Sequence, residues 1–299
     1  NRFYDAKMHG ANWPAMREMY EQVLPHIGNT EELQNVMMMM IGHLNASHTG
    51  VSGGPSPITA AVPARYPGFD FVLDPSGYYK VGHIYAGGPA DHDYLKIAPG
   101  HFVVSLDRRS LKTTDNYWRA REVASGSKFH FMINDKPAAE GAWEVTIAPA
   151  TAGQWSDLQY AKWVDDRRHL VTTLSNGAFG YLHIRAMDAP SLRQFQLDLA
   201  ANRTKQALVI DQRFNGGGGI DQELLAILSG RKYQYTMGRD AGIEQARPQN
   251  FYGPMVVMQN ERSGSDAEMF PAGFRALGLG KLVGVPTAAA VIGTGSYTL

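Results

Sequence analysis

The sequence predicts a mixed α/β protein built from an N-terminal helical segment, a small β domain and a β/α core. Three patterns support this prediction. Apolar residues recur at helical spacing over residues 1–55, and short β-type runs separated by turn residues fill most of 56–150. From 151 to 299, strand-like runs alternate with helix-like runs, which is typical of a largely parallel sheet. We therefore expect three domains with these boundaries.

The composition is that of a globular protein and argues against several classes of function. The 299 residues are 44% hydrophobic and 19% charged, which excludes disorder. The 28 basic and 28 acidic side chains balance, which argues against nucleic acid or an anionic membrane as the main partner. No apolar run reaches the ~18 residues that a membrane span needs. The chain has no cysteine, so disulfides and thiolate chemistry are excluded.

The chain begins without methionine and stops in what reads as the middle of a strand, so we expect a piece of a longer protein. We expect it to be cytoplasmic, with the periplasm as the alternative because the natural N-terminus is not in view. No cluster of histidines and acids has metal-ligand spacing, and we expect neither a metal nor an organic cofactor.

The N-terminal segment predicts two helices. The first accepts Pro14 in its opening turn and ends at Pro25. Asn29 and Glu32 form a capping pair for the second, whose apolar stripe includes two residues of the methionine run and predicts a buried face. This helix ends at the segment Asn45-Ala-Ser-His-Thr-Gly50. A linker rich in Gly, Pro and Ser follows over 51–65.

The β domain predicts five strands and one helix, Asn116–Ala124. The strands are Phe69–Leu73, Tyr79–Tyr85, His101–Leu106, Lys128–Asn134 and Ala142–Ile147.

The β/α core opens with a predicted hairpin, in which Ser175-Asn-Gly177 joins strands at His169–Leu174 and Gly180–Ile184. Alternating helices and strands follow: Ser191–Ala201, Ala207–Asp211, Ile220–Leu228, Met255–Gln259, Ser265–Leu277 and Lys281–Val285.

Two loops follow the carboxyl ends of predicted parallel strands, where ligands bind in such sheets. The first, Gln212–Gly219, contains four glycines whose backbone N–H groups can approach a negative atom, as an oxyanion hole requires. It matches neither a dinucleotide fingerprint nor a P-loop, and its simpler interpretation is a flexible turn. The second, Asn260–Ser265, places Ser265 at a helix start, where serine most often serves only as a cap.

A serine nucleophile needs a base, and His48 is the best candidate among ten histidines because it follows Ser47 at a helix end. The simpler interpretation of this Ser-His pair is loop polarity. The residues alone leave both interpretations open.

Taken together, these segments resemble the tricorn protease branch of the C-terminal processing peptidases, over nearly the whole chain. The N-terminal segment resembles the helical domain of that family. Residues 82–90 and 97–106 resemble its PDZ domain, and residues 210–218, 260–266 and 278–284 its crotonase-like core.

The resemblance implies a serine endopeptidase or peptide-processing hydrolase. It assigns Ser265 as the nucleophile, His48 as the base and Ser47 as a residue that helps to orient it. The oxyanion donors would be the N–H groups of Asp266 and of Gly218 or Gly217. Its substrate would be a peptide or unfolded protein, without nucleic acid or a membrane span, and a homo-oligomer is compatible with it.

Two departures from the family pattern are visible. The family's glutamate lies beyond the nucleophile, and no acid follows Glu268 here, so either residues beyond 299 supply it or this chain is impaired. The acid that gives tricorn its preference for basic side chains has no counterpart in Arg231–Met237.

Relatives with a lysine base carry it near 288–290, which is Ala-Ala-Ala here, so the resemblance implies a histidine base.

Two other functions stay open. The first is a catalytically impaired peptide-binding protein that adds a peptide strand to the edge of its PDZ-like domain. The second is a crotonase-like domain that binds an apolar ligand.

Overall fold

The computed structural model describes residues 3–54, 63–122, 127–240, 242–245 and 250–295. The chain divides into two compact units. The first contains the described residues up to 54 together with those from Leu170 onwards, and the second contains those from 63 to His169. Within the described residues, no helix is both long and apolar enough to cross a membrane.

The N-terminal segment of the first unit forms two helices, α1 (Trp13–Glu21) and α2 (Thr30–Gly42). Asn29 caps α2, since its side chain accepts from the Glu32 N–H at 2.9 Å. Within the methionine run, Met37 and Met40 are partly buried and Met38 and Met39 are more exposed, as the spacing predicts, but no residue of α2 is fully buried.

The second unit is built on an antiparallel sheet of order β2-β3-β4-β6-β7, with the short β5 paired to β4 and β1 paired to β8. Helix α3 (Tyr117–Glu122) lies between β5 and β6 in the chain, and all five predicted strands are present. The strands are β1 (Arg65–Tyr66), β2 (Phe69–Leu73), β3 (Tyr79–Ile84), β4 (Phe102–Leu106), β5 (Arg109–Ser110), β6 (Phe129–Asn134), β7 (Trp143–Ile147) and β8 (Ala150–Thr151).

Helix α4 (Ala152–Leu174) corrects one prediction, because His169–Leu174 is its last part and not a strand. The β-branched residues there favour a strand locally, but a long helix already runs into them. Asn176 and Gly177 end that helix: both have positive φ, and their N–H groups donate to the Thr173 and Thr172 carbonyls at 3.2 and 2.7 Å. The Asn-Gly pair is thus a helix stop and not a hairpin turn.

The rest of the first unit is a parallel sheet of order β14-β13-β10-β9 with three helices. Its strands and helices closely follow the predicted alternation. They are β9 (Phe179–His183), α5 (Ala189–Asn202), β10 (Ala207–Asp211), α6 (Asp221–Leu228), β13 (Met255–Gln259), α7 (Asp266–Ala276) and β14 (Lys281–Gly284).

A separate hairpin that the sequence analysis did not predict, β11 (Tyr235–Met237) with β12 (Ile243–Gln245), lies between α6 and β13 in the chain. The core of the parallel sheet is apolar and fully buried at Leu182, Ile210, Val257, Phe270 and Phe274.

The helix stop at Gly177 predicts opposite effects of one substitution at the two ends of α4. Gly177→Ala places a side chain at φ +79 and should destabilise the protein by about 1–2 kcal/mol. Gly153→Ala, in the first turn and with open space around it, should leave stability unchanged or raise it by up to about 1 kcal/mol. Chemical denaturation measures both, and equal effects would contradict the helix-stop assignment.

Candidate active site

The two predicted loops leave neighbouring strands of the parallel sheet. Strands β10 and β13 pair in register from Leu208 with Met255 to Asp211 with Met258, so their carboxyl ends meet at one edge. The loops are in contact beyond that edge: a Cβ built on Gly217 would lie 2.7 Å from Ser265 Cβ and 3.1 Å from the Asp266 nitrogen. The structure therefore brings the glycine run, Ser265 and Asp266 together.

Glycine is required in this run for two reasons. Gly217 and Gly218 have φ of +106° and +149°, a region that side chains rarely adopt. A Cβ on Gly218 would also lie 2.0 Å from the Met187 carbonyl oxygen. The run is therefore more than a flexible turn, since at Gly217 and Gly218 the chain passes too close to its neighbours for a side chain.

The hydrogen bonds of the glycine run distinguish its N–H groups. The N–H of Gly217, one of the two glycines proposed as alternative donors, already donates to Asn215 Oδ1 at 2.9 Å. Met187 bonds the Gly217 carbonyl and the Gly219 N–H at 3.0 and 2.8 Å, which turns the Gly218 N–H to the opposite side. Across the described ranges, the N–H groups of Gly218 and Asp266 have no acceptor. These two donors are available to a ligand.

Ser265 is held in a strained conformation at the start of α7. Its φ of 55° and ψ of −123° lie outside the common regions for a side-chain-bearing residue. Its N–H donates to Glu268 Oε1 at 3.0 Å and its carbonyl accepts from the Glu268 N–H at 2.8 Å. The side chain itself is half-buried. Strain of this kind persists only where the surroundings enforce it.

Glu268 is a site residue that the sequence analysis missed. Its buried carboxylate accepts from Ser265 N–H and Ala290 N–H through Oε1, and from Thr287 Oγ1 and Ala289 N–H through Oε2, at 2.6–3.0 Å. Burial raises the pKa of Glu268, but these four bonds outweigh burial and hold the pKa below its usual value. The Ser-x-x-Glu spacing of a capping box was the signal that could have identified it.

Asp266 has separate roles for its main chain and its side chain. Its N–H is free, whereas its buried Oδ2 accepts from the N–H groups of Ile220 and Asp221 at 2.8 and 3.2 Å, at the start of α6. The positive end of a helix favours this carboxylate. Burial, together with the hydrogen bond and charge of Asp266, raises the pKa of Asp221.

Asn215 is a second residue that the sequence analysis missed, and it is fully buried. Its Nδ2 donates to the Ile184 carbonyl at 3.0 Å while its Oδ1 accepts from Gly217. Its main-chain carbonyl accepts from the Gly264 N–H at 3.0 Å. Asn215 therefore joins the glycine run both to the residue that follows β9 and to the loop that precedes Ser265.

The side chains of Asn260 and Gln212 also connect the two loops, one from each loop. Asn260 Oδ1 accepts from the Phe214 N–H at 3.0 Å, and Gln212 Nε2 donates to the Ala267 carbonyl at 2.7 Å. Ser263 Oγ donates to the Gln212 carbonyl at 3.2 Å. All these polar side chains are buried, so each bond also satisfies a group that would be costly to leave unpaired.

An ion pair lies at the base of the first loop. The fully buried Asp211 accepts from Arg213 Nη2 at 2.6 Å and from Tyr181 OH at 2.8 Å. The hydrogen bond to Asp211 raises the pKa of Arg213, and burial raises that of Tyr181. Burial lowers the pKa of the neighbouring His183. These groups support the loop and leave its glycines to face Ser265.

Ser47 and His48 lie in a turn after α2, with Ser47 half-buried and His48 exposed at φ +58°. Within the described residues, neither side chain forms a hydrogen bond, so His48 is not bonded to Ser265. The turn is anchored instead by His9, whose Nδ1 hydrogen-bonds the Leu44 carbonyl at 2.8 Å. This segment nevertheless falls in the same compact unit as Ser265.

No group of three or more histidines and acids in the described part of the chain could hold a metal ion. What the geometry offers is a serine beside two free N–H donors at a helix start. This arrangement can stabilise a negative oxygen atom formed next to Ser265 Oγ.

Glu268→Gln should destabilise the first unit by roughly 1–3 kcal/mol at pH 7, because four donors lose a charged acceptor. The pKa of Glu268 is lower in the folded state than in the unfolded state, where it is 4.5, so its ionisation stabilises the protein above pH 4.5. This stabilisation is lost as the pH falls through the folded-state pKa. The difference from wild type should therefore shrink in acid. Glu223→Gln, an exposed first-turn glutamate of α6, is the matched control. Equal denaturation curves for both variants at pH 7 would refute the role given to Glu268.

Asp221→Asn should stabilise the protein at neutral pH. A raised pKa means that the folded state binds the proton more tightly than the unfolded state, so stability falls as the pH rises through the folded value. Asparagine does not titrate, so the variant does not lose this stability as the pH rises. Thermal unfolding should show a higher Tm than wild type at pH 8 and a smaller difference at pH 4, and a larger gain in acid would contradict the assignment.

Comparisons with known proteins find similarity to peptidases. Residues 178–299 match the family model described as peptidase family S41, and residues 1–42 match the tricorn protease C1 domain. Over 283 residues the chain is 26% identical to the tricorn protease of Thermoplasma acidophilum, covering 92% of this chain and 26% of that protein. It is also 26% identical over 309 residues to tricorn protease homolog 1 of Streptomyces coelicolor, covering 99% of this chain and 28% of that protein.

A crystal structure of the tricorn protease superposes on this chain with a TM-score of 0.82 at 26% identity, covering 94% of this chain and 28% of that one. The chain thus spans about a quarter of the length of these relatives.

Proposed function

The chain belongs to the tricorn-like S41 peptidase family, and we propose that it contributes a serine peptidase site in which Ser265 is the nucleophile. The observation that carries the proposal is the contact of the glycine run with the strained Ser265, beside the free N–H groups of Gly218 and Asp266. In this proposal, the N-terminal segment is the helical domain of the family, the second unit is its PDZ-like domain and the parallel sheet with its helices is its crotonase-like core.

In the proposed reaction, Ser265 Oγ attacks the peptide carbonyl carbon while its proton passes to His48. The carbonyl oxygen becomes an oxyanion that accepts from the N–H groups of Gly218 and Asp266. When the C–N bond breaks, protonated His48 returns its proton to the leaving amine, and an acyl-serine remains. Water then attacks the acyl group with His48 again as base, which releases the acid and regenerates Ser265.

The proposed base, His48, comes from the N-terminal segment. His48 lies on an exposed turn that belongs to the compact unit of Ser265. Catalytic hydrogen bonds are often long without substrate and tighten when it binds. We therefore assign the turn at 45–49, with Ser47, the task of bringing the imidazole to Ser265.

A second candidate function is peptide binding by the second unit. The observation in its favour is the position of β2 at the edge of the antiparallel sheet, next to a cleft that α3 also lines. An edge strand offers unpaired N–H and carbonyl groups to an extended peptide. This function needs no competent Ser-His pair and would persist in a catalytically impaired chain.

The peptidase proposal is tested with a fluorophosphonate probe that labels activated serines. Ser265→Ala should abolish labelling, and His48→Ala should slow it by about 10²–10⁴-fold because the proton acceptor is lost. Mass spectrometry of the wild type should place the adduct on Ser265.

The matched controls are Ser229→Ala, an exposed serine at the end of α6, and His43→Ala, an exposed histidine after α2. Both should label at the wild-type rate. Labelling that survives Ser265→Ala would refute the nucleophile, whereas an unchanged rate in His48→Ala would refute only the base.

A further inference from the structure

The second unit contains a cleft of about 570 Å³ beside β2 and the start of α3. Twelve residues line it, and seven of them are aromatic. Two acids, Asp70 and Asp115, also line it, while none of the twelve is lysine or arginine. The cleft therefore combines aromatic surface with negative charge.

The aromatic wall is preorganised. Tyr66 and Trp155 stack with ring centroids 5.2 Å apart and planes at 4°. Trp118 meets Tyr66 edge-on at 5.4 Å and is 45% exposed. The face of an aromatic ring carries negative potential and attracts a cation within about 6 Å. Trp155 covers one face of Tyr66 and holds that ring in place, while Trp118 keeps exposed ring surface at the cleft.

Asp70 supplies the charge on β2. It is half-buried, and Tyr85 OH donates to its two carboxylate oxygens at 3.3 and 3.2 Å. In the described part of the chain it has no lysine or arginine partner. Burial, and then the charge of Asp70, raises the pKa of Tyr85, so this hydroxyl stays protonated as a donor. The carboxylate thus keeps an uncompensated negative charge beside the cleft.

Strand β2 determines how a ligand would approach. It is the terminal strand of the order β2-β3-β4-β6-β7, so an extended peptide can pair with it. Alternate side chains of such a peptide point to one face of the sheet. A side chain on that face would enter the cleft where the aromatic residues and Asp70 meet.

We propose that this cleft binds an extended peptide through a lysine or arginine side chain, which lies against Tyr66 and Trp118 and pairs with Asp70. The inference rests on the second proposed function, peptide binding by the second unit, and adds the class of side chain that is recognised. The opposite charges and the aromatic faces favour a cation over an apolar or acidic side chain.

The test measures binding of two fluorescein-labelled heptapeptides to the full chain carrying Ser265→Ala, so that neither peptide is cleaved. They are Thr-Val-Thr-Lys-Thr-Val-Thr and the same peptide with Nε-acetyl-lysine at the centre. The lysine peptide should bind about 5- to 30-fold more tightly, as expected for a desolvated cation–π contact. The difference should shrink as salt screens the charge.

Two variants locate the site. Trp118→Leu and Asp70→Asn should each bring the affinities for the two peptides closer together. Their matched controls are Trp163→Leu and Asp166→Asn, which lie in the same unit but do not line the cleft, and these should retain the difference. Circular dichroism at the assay temperature confirms that each variant is folded.

The outcomes separate the two proposals. Equal affinity for the two peptides would refute recognition of the cation and leave peptide binding in place. Absence of binding by either peptide would refute both. A lysine preference that Trp118→Leu and Asp70→Asn leave unchanged would place recognition elsewhere and overturn the assignment of this cleft.

Discussion

Three buried residues, Asn215, Asn260 and Gln212, hold the two strand-end loops together, and the geometry of the candidate active site depends on them. The Asn260 side chain bonds the main chain of the opposite loop, and the Gln212 side chain bonds that of α7. The Asn215 side chain ties the glycine run to Ile184, and its main-chain carbonyl accepts from the opposite loop at Gly264. Each would be costly to bury unpaired, so the loops have few alternative arrangements. This constraint keeps Ser265 in its strained conformation, which costs about 1–3 kcal/mol and would otherwise relax.

Buried carboxylates at helix starts add a second level of positioning. Glu268 joins Ser265 to residues 287–290, and Asp266 joins the start of α7 to the start of α6. In both cases a negative side chain is stabilised by main-chain N–H groups, as the helix dipole favours. Because the Asp266 side chain has this structural task, its N–H is left free to bind a ligand.

Local patterns predicted most of the fold. Strands β2, β3, β4, β6 and β7, the alternation of α5, β10, α6, β13, α7 and β14, and the capped start of α2 all follow from apolar spacing and turn residues. The failure at His169–Leu174 has a clear cause. β-branched residues and Asn-Gly indicate a hairpin in isolation, but the helix that precedes them continues and uses the same Asn-Gly pair as its stop. Whether these residues form a helix or a strand therefore depends on the helix that begins at Ala152.

The sequence by itself determined that a glycine run and Ser265 lie at the ends of parallel strands, because strand periodicity and chain order specify that edge. It did not distinguish Gly217 from Gly218, nor did it identify Asn215, Asn260 or Glu268 as residues of the site. Only the tertiary structure decided these points. The bonds that turn the Gly218 N–H away from the neighbouring chain come from Met187, about 30 positions earlier, and the bond between Asn260 and Phe214 spans 46 positions. Contacts over such separations leave no periodic signal, so the free donor can be identified only once every neighbouring acceptor is in place.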